Sequence, residues 1–208
     1  MARSAYNENV FVNCPFDSEY QPLFEALVFA VHDCGFIARC ALEIDDASQV
    51  RIDKIMDIVA ECRLGIHDVS RTELDEGTTL PRFNMPLELG VFLGAKRYGA
   101  GLQKQKLCIV LDREPNRVQR FCSDIAGQDV RSHGGTSTGM VSTIRNWLRN
   151  ASHQSGIIVP SGSRMVKRYE RFQRELPLLC DRLGLDRDEL IFNDYTTVTA
   201  EWLKVNSW

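Results

Sequence analysis

Apolar residues along this chain fall into short continuous runs that alternate with stretches of helical spacing. The short runs, which are bounded by glycine, proline or polar residues, predict strands over Asn9–Asn13, Phe36–Leu42, Leu64–Val69 and Lys106–Leu111. The stretches between them repeat apolar residues every three or four positions, which predicts helices beginning near Asp17 or Ser18, near Ser48 and at Asn84. This alternation indicates βαβ units, and hence a doubly wound α/β fold with a mostly parallel sheet.

The pattern is weaker beyond Asp112. We predict a helix over 115–125, a fifth strand over 128–131 and another helix over 140–149, followed by a linker with the sequence GIIVPSG (156–162). The last forty-odd residues repeat apolar positions in helical phase. The sequence therefore predicts an α/β domain over 1–155 and a helical C-terminal extension over 156–208 that packs on it.

The composition argues against several classes of function and site. A hydrophobic content of 44% and a charged content of 25% are typical of a globular protein. The net charge of −3 argues against nucleic acid as a partner, and no run approaches the roughly 18 apolar residues of a membrane span. Seven cysteines without an export signal predict reduced thiols and a cytoplasmic location. No Cys/His spacing matches a zinc site, so we expect neither a metal nor a resident cofactor.

Glu88 is the first candidate for chemistry. If Asn84 caps its helix, the capping-box position falls on Leu87, so local capping does not explain the acid. An acid that complements the helix dipole is the structural alternative. The neighbours of Glu88 along the helix are mostly apolar, and a carboxylate in such surroundings is costly unless it has a task or a partner.

The loops after the first three strands carry further candidates. Loops at the carboxyl ends of parallel strands open at one edge of the sheet, where such folds bind ligands. A carboxylate or hydroxyl there suits a ribose, an amide suits a base, and an aromatic ring can stack on one. For each residue alone, a helix cap or a turn is the alternative. The candidates for substrate binding are Asn13, Phe16, Asp17, Glu43, Ser70 and Asn84, with Asp68 as a second catalytic acid.

Two segments carry a resemblance to a known family. Gly65-Ile66-His67-Asp68, followed by Asn84-Met85-Pro86-Leu87-Glu88-Leu89-Gly90, resembles the nucleoside 2-deoxyribosyltransferase-like and TIR-like superfamily. The resemblance covers roughly residues 9–112 and implies a flavodoxin-like sheet, with Glu88 acting at C1′ of a nucleoside or of NAD. Two features depart from the transferase pattern, namely a longer loop over 70–83 and a first loop, 13–17, without glycine. The TIR-like resemblance also implies a bacterial defence or signalling setting and a homo-oligomer.

The resemblance and the residues together predict cleavage of an N-glycosidic bond. This reaction passes through an oxocarbenium-like state, which a carboxylate can stabilise or trap covalently. Nicotinamide leaves as a neutral molecule, whereas an ordinary base needs a proton donor, for which Asp17, Glu43 and Asp68 are candidates. The predicted substrate is NAD or another nucleoside or nucleotide. Two alternatives stay open at this point: a non-catalytic module that senses a nucleotide, and an interaction protein with a vestigial cleft.

Overall fold

The computed structural model describes residues 3–72, 82–125, 127–152 and 159–208. Five parallel strands form one sheet in the order β2-β1-β3-β4-β5. The strands are β1 (Asn9–Asn13), β2 (Ile37–Arg39), β3 (Leu64–Asp68), β4 (Leu107–Asp112) and β5 (Val130–Ser132). This order and the flanking helices confirm the predicted flavodoxin-like α/β fold with C-terminal helices.

Helices cover both faces of the sheet. They are α1 (Arg3–Glu8), α2 (Gln21–Asp33), α3 (Arg51–Ala60), α4 (Asn84–Tyr98), α5 (Ser137–Ala151), α6 (Gly162–Leu183) and α7 (Phe192–Val205). Alternate residues of β1 divide the core, because Val10 and Val12 face α2 and α5 whereas Phe11 faces α3 and α4. No helix within the described ranges is long and apolar enough to cross a membrane.

The C-terminal helices pack on α2 and α5. Phe172 and Leu176 of α6 and Trp202 of α7 belong to the same buried cluster as the core side of the sheet. Two ion pairs with buried carboxylates reinforce this contact: Arg168 to Asp33 at 2.8 Å and Arg187 to Glu25 at 2.7 Å. The predicted boundary at 155–156 lies outside the described residues, and so does the first part of the predicted linker.

The strand predictions differ from the structure mainly at their ends. β1 has the predicted bounds, whereas β2 is only three residues long and leaves the sheet before Cys40.

The predicted helix over 115–125 is wrong, because this segment contains two 3-10 turns, Val118–Arg120 and Ser123–Ile125. Asn116 has a φ of +61°, a left-handed conformation that an α-helix does not accommodate. The short helix α1 was not predicted.

Candidate functional site

A cavity of about 330 Å³ lies at the carboxyl ends of β1 and β3. Strand order reverses between these two strands, which is the position where open α/β sheets bind ligands. The volume is at the small end of the range for small-molecule sites. The lining residues come from the loop after β1 and from the starts of α3 and α4: Asn13, Cys14, Pro15, Phe16, Asp17, Arg51, Arg82, Asn84, Met85 and Glu88.

Glu88 lies in the wall of this cavity. It is 7% exposed, and no hydrogen bond or ion pair from the described residues holds its carboxylate. Burial raises its pKa to about 7, and the positive charge of Arg51 opposes this shift only in part. The first turn of α4 contains no acid, since Glu88 is the fifth residue of the helix. Complementing the helix dipole therefore does not explain this carboxylate.

Asp17 lies in the same lining, but its charge is compensated. Arg82 Nη1 is 2.8 Å from Asp17 Oδ2, and Arg71 Nη2 is 3.4 Å from Asp17 Oδ1. The carboxylate also accepts a hydrogen bond from the backbone N–H of Tyr20. Of the four predicted carboxylates, Glu88 and Asp17 are thus the two that share the cavity.

Asn13 connects the first loop to the start of α4. Its Nδ2 donates to the carbonyl of Met85 at 2.8 Å and lies 3.0 Å from His67 Nδ1. His67 is fully buried against two aromatic rings, and burial lowers its pKa to about 3, so it is a core histidine. The amide of Asn13 therefore has a structural partner as well as a place in the cavity wall.

Phe16, Asn84 and Cys14 also line the cavity. The sequence predicted the first two as binding residues, but not Cys14. The ring of Phe16 packs edge-on against Phe24 at 5.5 Å, and Asn84 is exposed at the start of α4. Cys14 is buried, and burial raises the pKa of its thiol well above the usual range. A neutral thiol is a weak nucleophile, so Cys14 forms part of the wall and is not a second reactive group.

Asp68 is not among the lining residues. Its buried carboxylate accepts hydrogen bonds from Tyr20 Oη at 2.6 Å and from the Ser70 backbone N–H at 2.8 Å. His133 Nε2 lies 3.1 Å from Asp68 Oδ2. The Gly135 N–H donates to His133 Nδ1, whereas His133 Nε2 has no hydrogen-bond partner among the described residues, so its contact with Asp68 is one of proximity. Asp68 thereby joins α2 to the loop after β5, and its catalytic role stays a prediction.

Glu43 and Ser70 also lie outside the cavity lining. The carboxylate of Glu43 is bound by both Nε and Nη2 of Arg39, at 2.7 and 2.6 Å. The carbonyl of Ser70 accepts a hydrogen bond from Arg117, whose guanidinium also pairs with the buried Asp112. Their contacts in the described chain are those of loop-stabilising residues, and substrate binding by either stays a prediction.

Sequence reasoning missed two cationic residues of the wall, Arg51 and Arg82. Arg51 is the first residue of α3, and Arg82 precedes α4. Both follow loops at the carboxyl edge of the sheet, which is the signal that would have identified them. Comparison of the chain with protein-family models, with curated proteins and with solved structures found no match.

Proposed function

We propose that this protein cleaves the N-glycosidic bond of a nucleoside, a nucleotide or NAD, with Glu88 as the carboxylate at C1′. One observation carries the proposal: a buried carboxylate without a partner among the described residues lines a cavity at the reversal point of the sheet. Such a group is costly to bury. A positive charge that develops at C1′ of the substrate would offset this cost in the transition state.

The chemistry follows from the position of one buried acid in the cavity wall. As the bond to the base lengthens, positive charge develops on C1′ and the ring oxygen of the sugar. The ionised Glu88 stabilises this charge directly or traps it as a covalent ester, which water or a second acceptor then resolves. Its raised pKa shows that the surroundings stabilise the negative charge poorly in the free protein, so the developing cation would be its best partner.

The neighbouring acids favour a base that leaves as a neutral molecule. Asp17 is paired with two arginines, whereas Asp68 and Glu43 lie outside the lining. Among the described residues, the cavity therefore offers no separate proton donor of carboxylic type. Nicotinamide needs none, so we place NAD first among the substrates. Self-association and a role in bacterial defence or signalling belong to this proposal through the family resemblance alone.

Release of free base tests the proposal. Wild-type protein, Glu88→Gln and a surface control, Glu201→Gln, are incubated with NAD and with a panel of nucleosides and nucleotides, and the products are separated by chromatography. We expect Glu88→Gln to lower turnover by about 100-fold or more, which is typical of losing one charge-stabilising group. Equal turnover by wild type and Glu88→Gln would refute the catalytic role.

The second candidate is a nucleotide-sensing module with the same cavity. The observation in its favour is the pairing of Asp17 with Arg71 and Arg82, which leaves Glu88 as the one acid without an ion pair among the described residues of the lining. In this case no base is released, but a nucleotide raises the melting temperature, since a ligand that binds only the native state stabilises it. If the melting temperature stays constant with every nucleotide, the remaining candidate is the interaction protein with a vestigial cleft.

A further inference from the structure

The two faces of the sheet are covered to different depths. On one face α2 and α5 pack on the strands, and α6 and α7 cover them as an outer layer. On the other face α4 packs on the sheet through Met85, Leu89 and Phe92, and its opposite side is exposed. The outer side of α4 is therefore part of the surface of the chain.

This outer side of α4 is apolar along its whole length. Because each residue turns an α-helix by about 100°, six uncharged positions fall within one arc of about 100°. We call them the α4 stripe: Phe83, Leu87, Gly90, Val91, Gly94 and Tyr98. The three largest side chains are mostly exposed, Phe83 by 68%, Leu87 by 60% and Tyr98 by 87%. The outer side of a surface helix normally carries charged or polar residues, so the stripe marks an interaction surface.

The order of large and small residues makes the stripe complementary to a second copy of itself. If two α4 helices run antiparallel about a twofold axis at the middle of the stripe, residues equally far from the middle face each other. Leu87 of one copy then faces Gly94 of the other, and the two central residues, Gly90 and Val91, face each other. A methyl group added at either glycine would meet no atom of the described chain within 4 Å, so both positions are open. Each larger side chain is thus opposite a glycine, which lets the two helices approach closely.

The ends of α4 favour the antiparallel arrangement over the parallel one. In the antiparallel pair, Phe83 of one copy meets Tyr98 of the other at each end, and aromatic pairs add stability beyond the area that they bury. Lys96 and Arg97 make the last turn of α4 basic. A parallel pair would bring the two basic ends together, whereas an antiparallel pair separates them and aligns the helix dipoles in opposite directions.

The exposed area of the stripe is large enough for a specific contact. An aromatic side chain has roughly 150–250 Å² of surface, so Phe83 and Tyr98 together leave about 200–400 Å² exposed in each chain. The aromatic residues of two copies would supply about half or more of the roughly 1,000 Å² that a biological interface needs. Leu87 and Val91 add to this area.

We infer that this protein forms a twofold-symmetric dimer through the α4 stripe, with the two α4 helices antiparallel. The family resemblance implies a homo-oligomer but no surface, whereas the stripe identifies both the surface and the direction of the pair. The inference does not depend on the proposed function, because no residue of the stripe is among those that line the Glu88 cavity in the described chain.

Analytical ultracentrifugation of the full chain at about 1–100 μM tests the inference. The dimer has twice the 23.6 kDa mass of the chain. The variants are Leu87→Asp, Gly94→Leu and a double variant that combines Leu87→Ala with Gly94→Leu. The matched control is Leu178→Asp, which changes a leucine of α6 that is 55% exposed. Thermal melting verifies that each variant folds.

We expect wild type and Leu178→Asp to form the dimer, and Leu87→Asp to raise its Kd by about 30-fold or more, the scale of a hot-spot residue. Gly94→Leu should weaken the dimer to a similar extent, because the new side chain meets Leu87 of the second copy. The double variant should return to within about fivefold of wild type, since the large and the small residue have exchanged places. A wild type that is monomeric at every concentration, a dimer that Leu87→Asp leaves intact, or a double variant no tighter than Gly94→Leu would overturn the inference.

Discussion

The pH dependence of folding offers a direct test of how Glu88 is buried. A carboxyl whose pKa is higher in the folded protein than in the unfolded chain binds more protons when folded. Its contribution to stability is therefore largest at low pH and is lost as the pH rises from about 4.5 to about 7. Glutamine has nearly the shape of the protonated glutamic acid and does not ionise. The Glu88→Gln variant therefore does not lose this stability as the pH rises.

The magnitude follows from the size of the shift. Burial raises the pKa of Glu88 from 4.5 to about 7, and each unit corresponds to about 1.4 kcal/mol. Ionising the buried carboxyl thus costs the folded protein as much as about 3 kcal/mol at pH 8. At pH 5 this carboxyl is only partly ionised in the unfolded chain and is still mostly protonated in the folded protein, so most of this cost is absent. We expect the stability advantage of Glu88→Gln over wild type to grow by about 2–3 kcal/mol between pH 5 and pH 8.

Urea denaturation at pH 5, 6, 7 and 8 measures this difference for wild type, Glu88→Gln and the surface control Glu201→Gln. Comparing the variants at each pH cancels the titration of all other groups. If the free energies of unfolding of wild type and Glu88→Gln differ by the same amount at every pH, the reasoning is refuted, because this carboxyl is then solvated in the folded protein. If the stability of Glu201→Gln relative to wild type also increases with pH, the effect does not belong to position 88.

Three further predictions concern the fold. Arg168→Ala leaves the buried carboxylate of Asp33 without its ion pair and should cost about 3–5 kcal/mol in urea denaturation, so a loss below about 1 kcal/mol would contradict it. Burial lowers the pKa of Lys106 to about 8, so wild type should gain stability relative to Lys106→Met as the pH rises from 8 to 10, and a constant difference between the two urea midpoints would argue against a buried ammonium. Gly65→Ala places a methyl group 2.7 Å from Phe92 Cε2 and should lower stability by about 1–3 kcal/mol, whereas an unchanged melting curve would show that the ring moves aside freely.

The parts of the fold that follow from local pattern were predictable. β1 is continuously apolar between polar ends and buried along its whole length, so its bounds match the prediction. The error over 115–125 arose because apolar spacing alone does not reveal that Asn116 adopts a left-handed conformation. Sequence periodicity describes which side of an element is apolar, but it does not report the backbone conformation of a single residue.

The site was predictable in position but not in detail. Placing Glu88 and the first loop at one edge of the sheet needed only parallel strands, because the loops that follow such strands open at the same edge. Asp68 follows β3 as predicted, but its carboxylate is held by Tyr20 and approached by His133, which are 48 and 65 positions away in the chain. Which way a strand-end side chain turns depends on such distant partners, and no local spacing encodes them. For the same reason Arg51 was not recognised as part of the wall.

Helix α2 has almost no side that faces water, since nine of its thirteen residues are buried between the sheet and the C-terminal helices. During synthesis the ribosome makes this helix early, whereas α6 and α7 emerge more than a hundred residues later. At roughly 5–20 residues per second, the delay is on the order of ten seconds. Throughout that interval one apolar side of α2 stays exposed on the nascent chain, because the helices that cover it have not yet been made. We expect a chaperone that binds apolar segments to bind the chain at this stage.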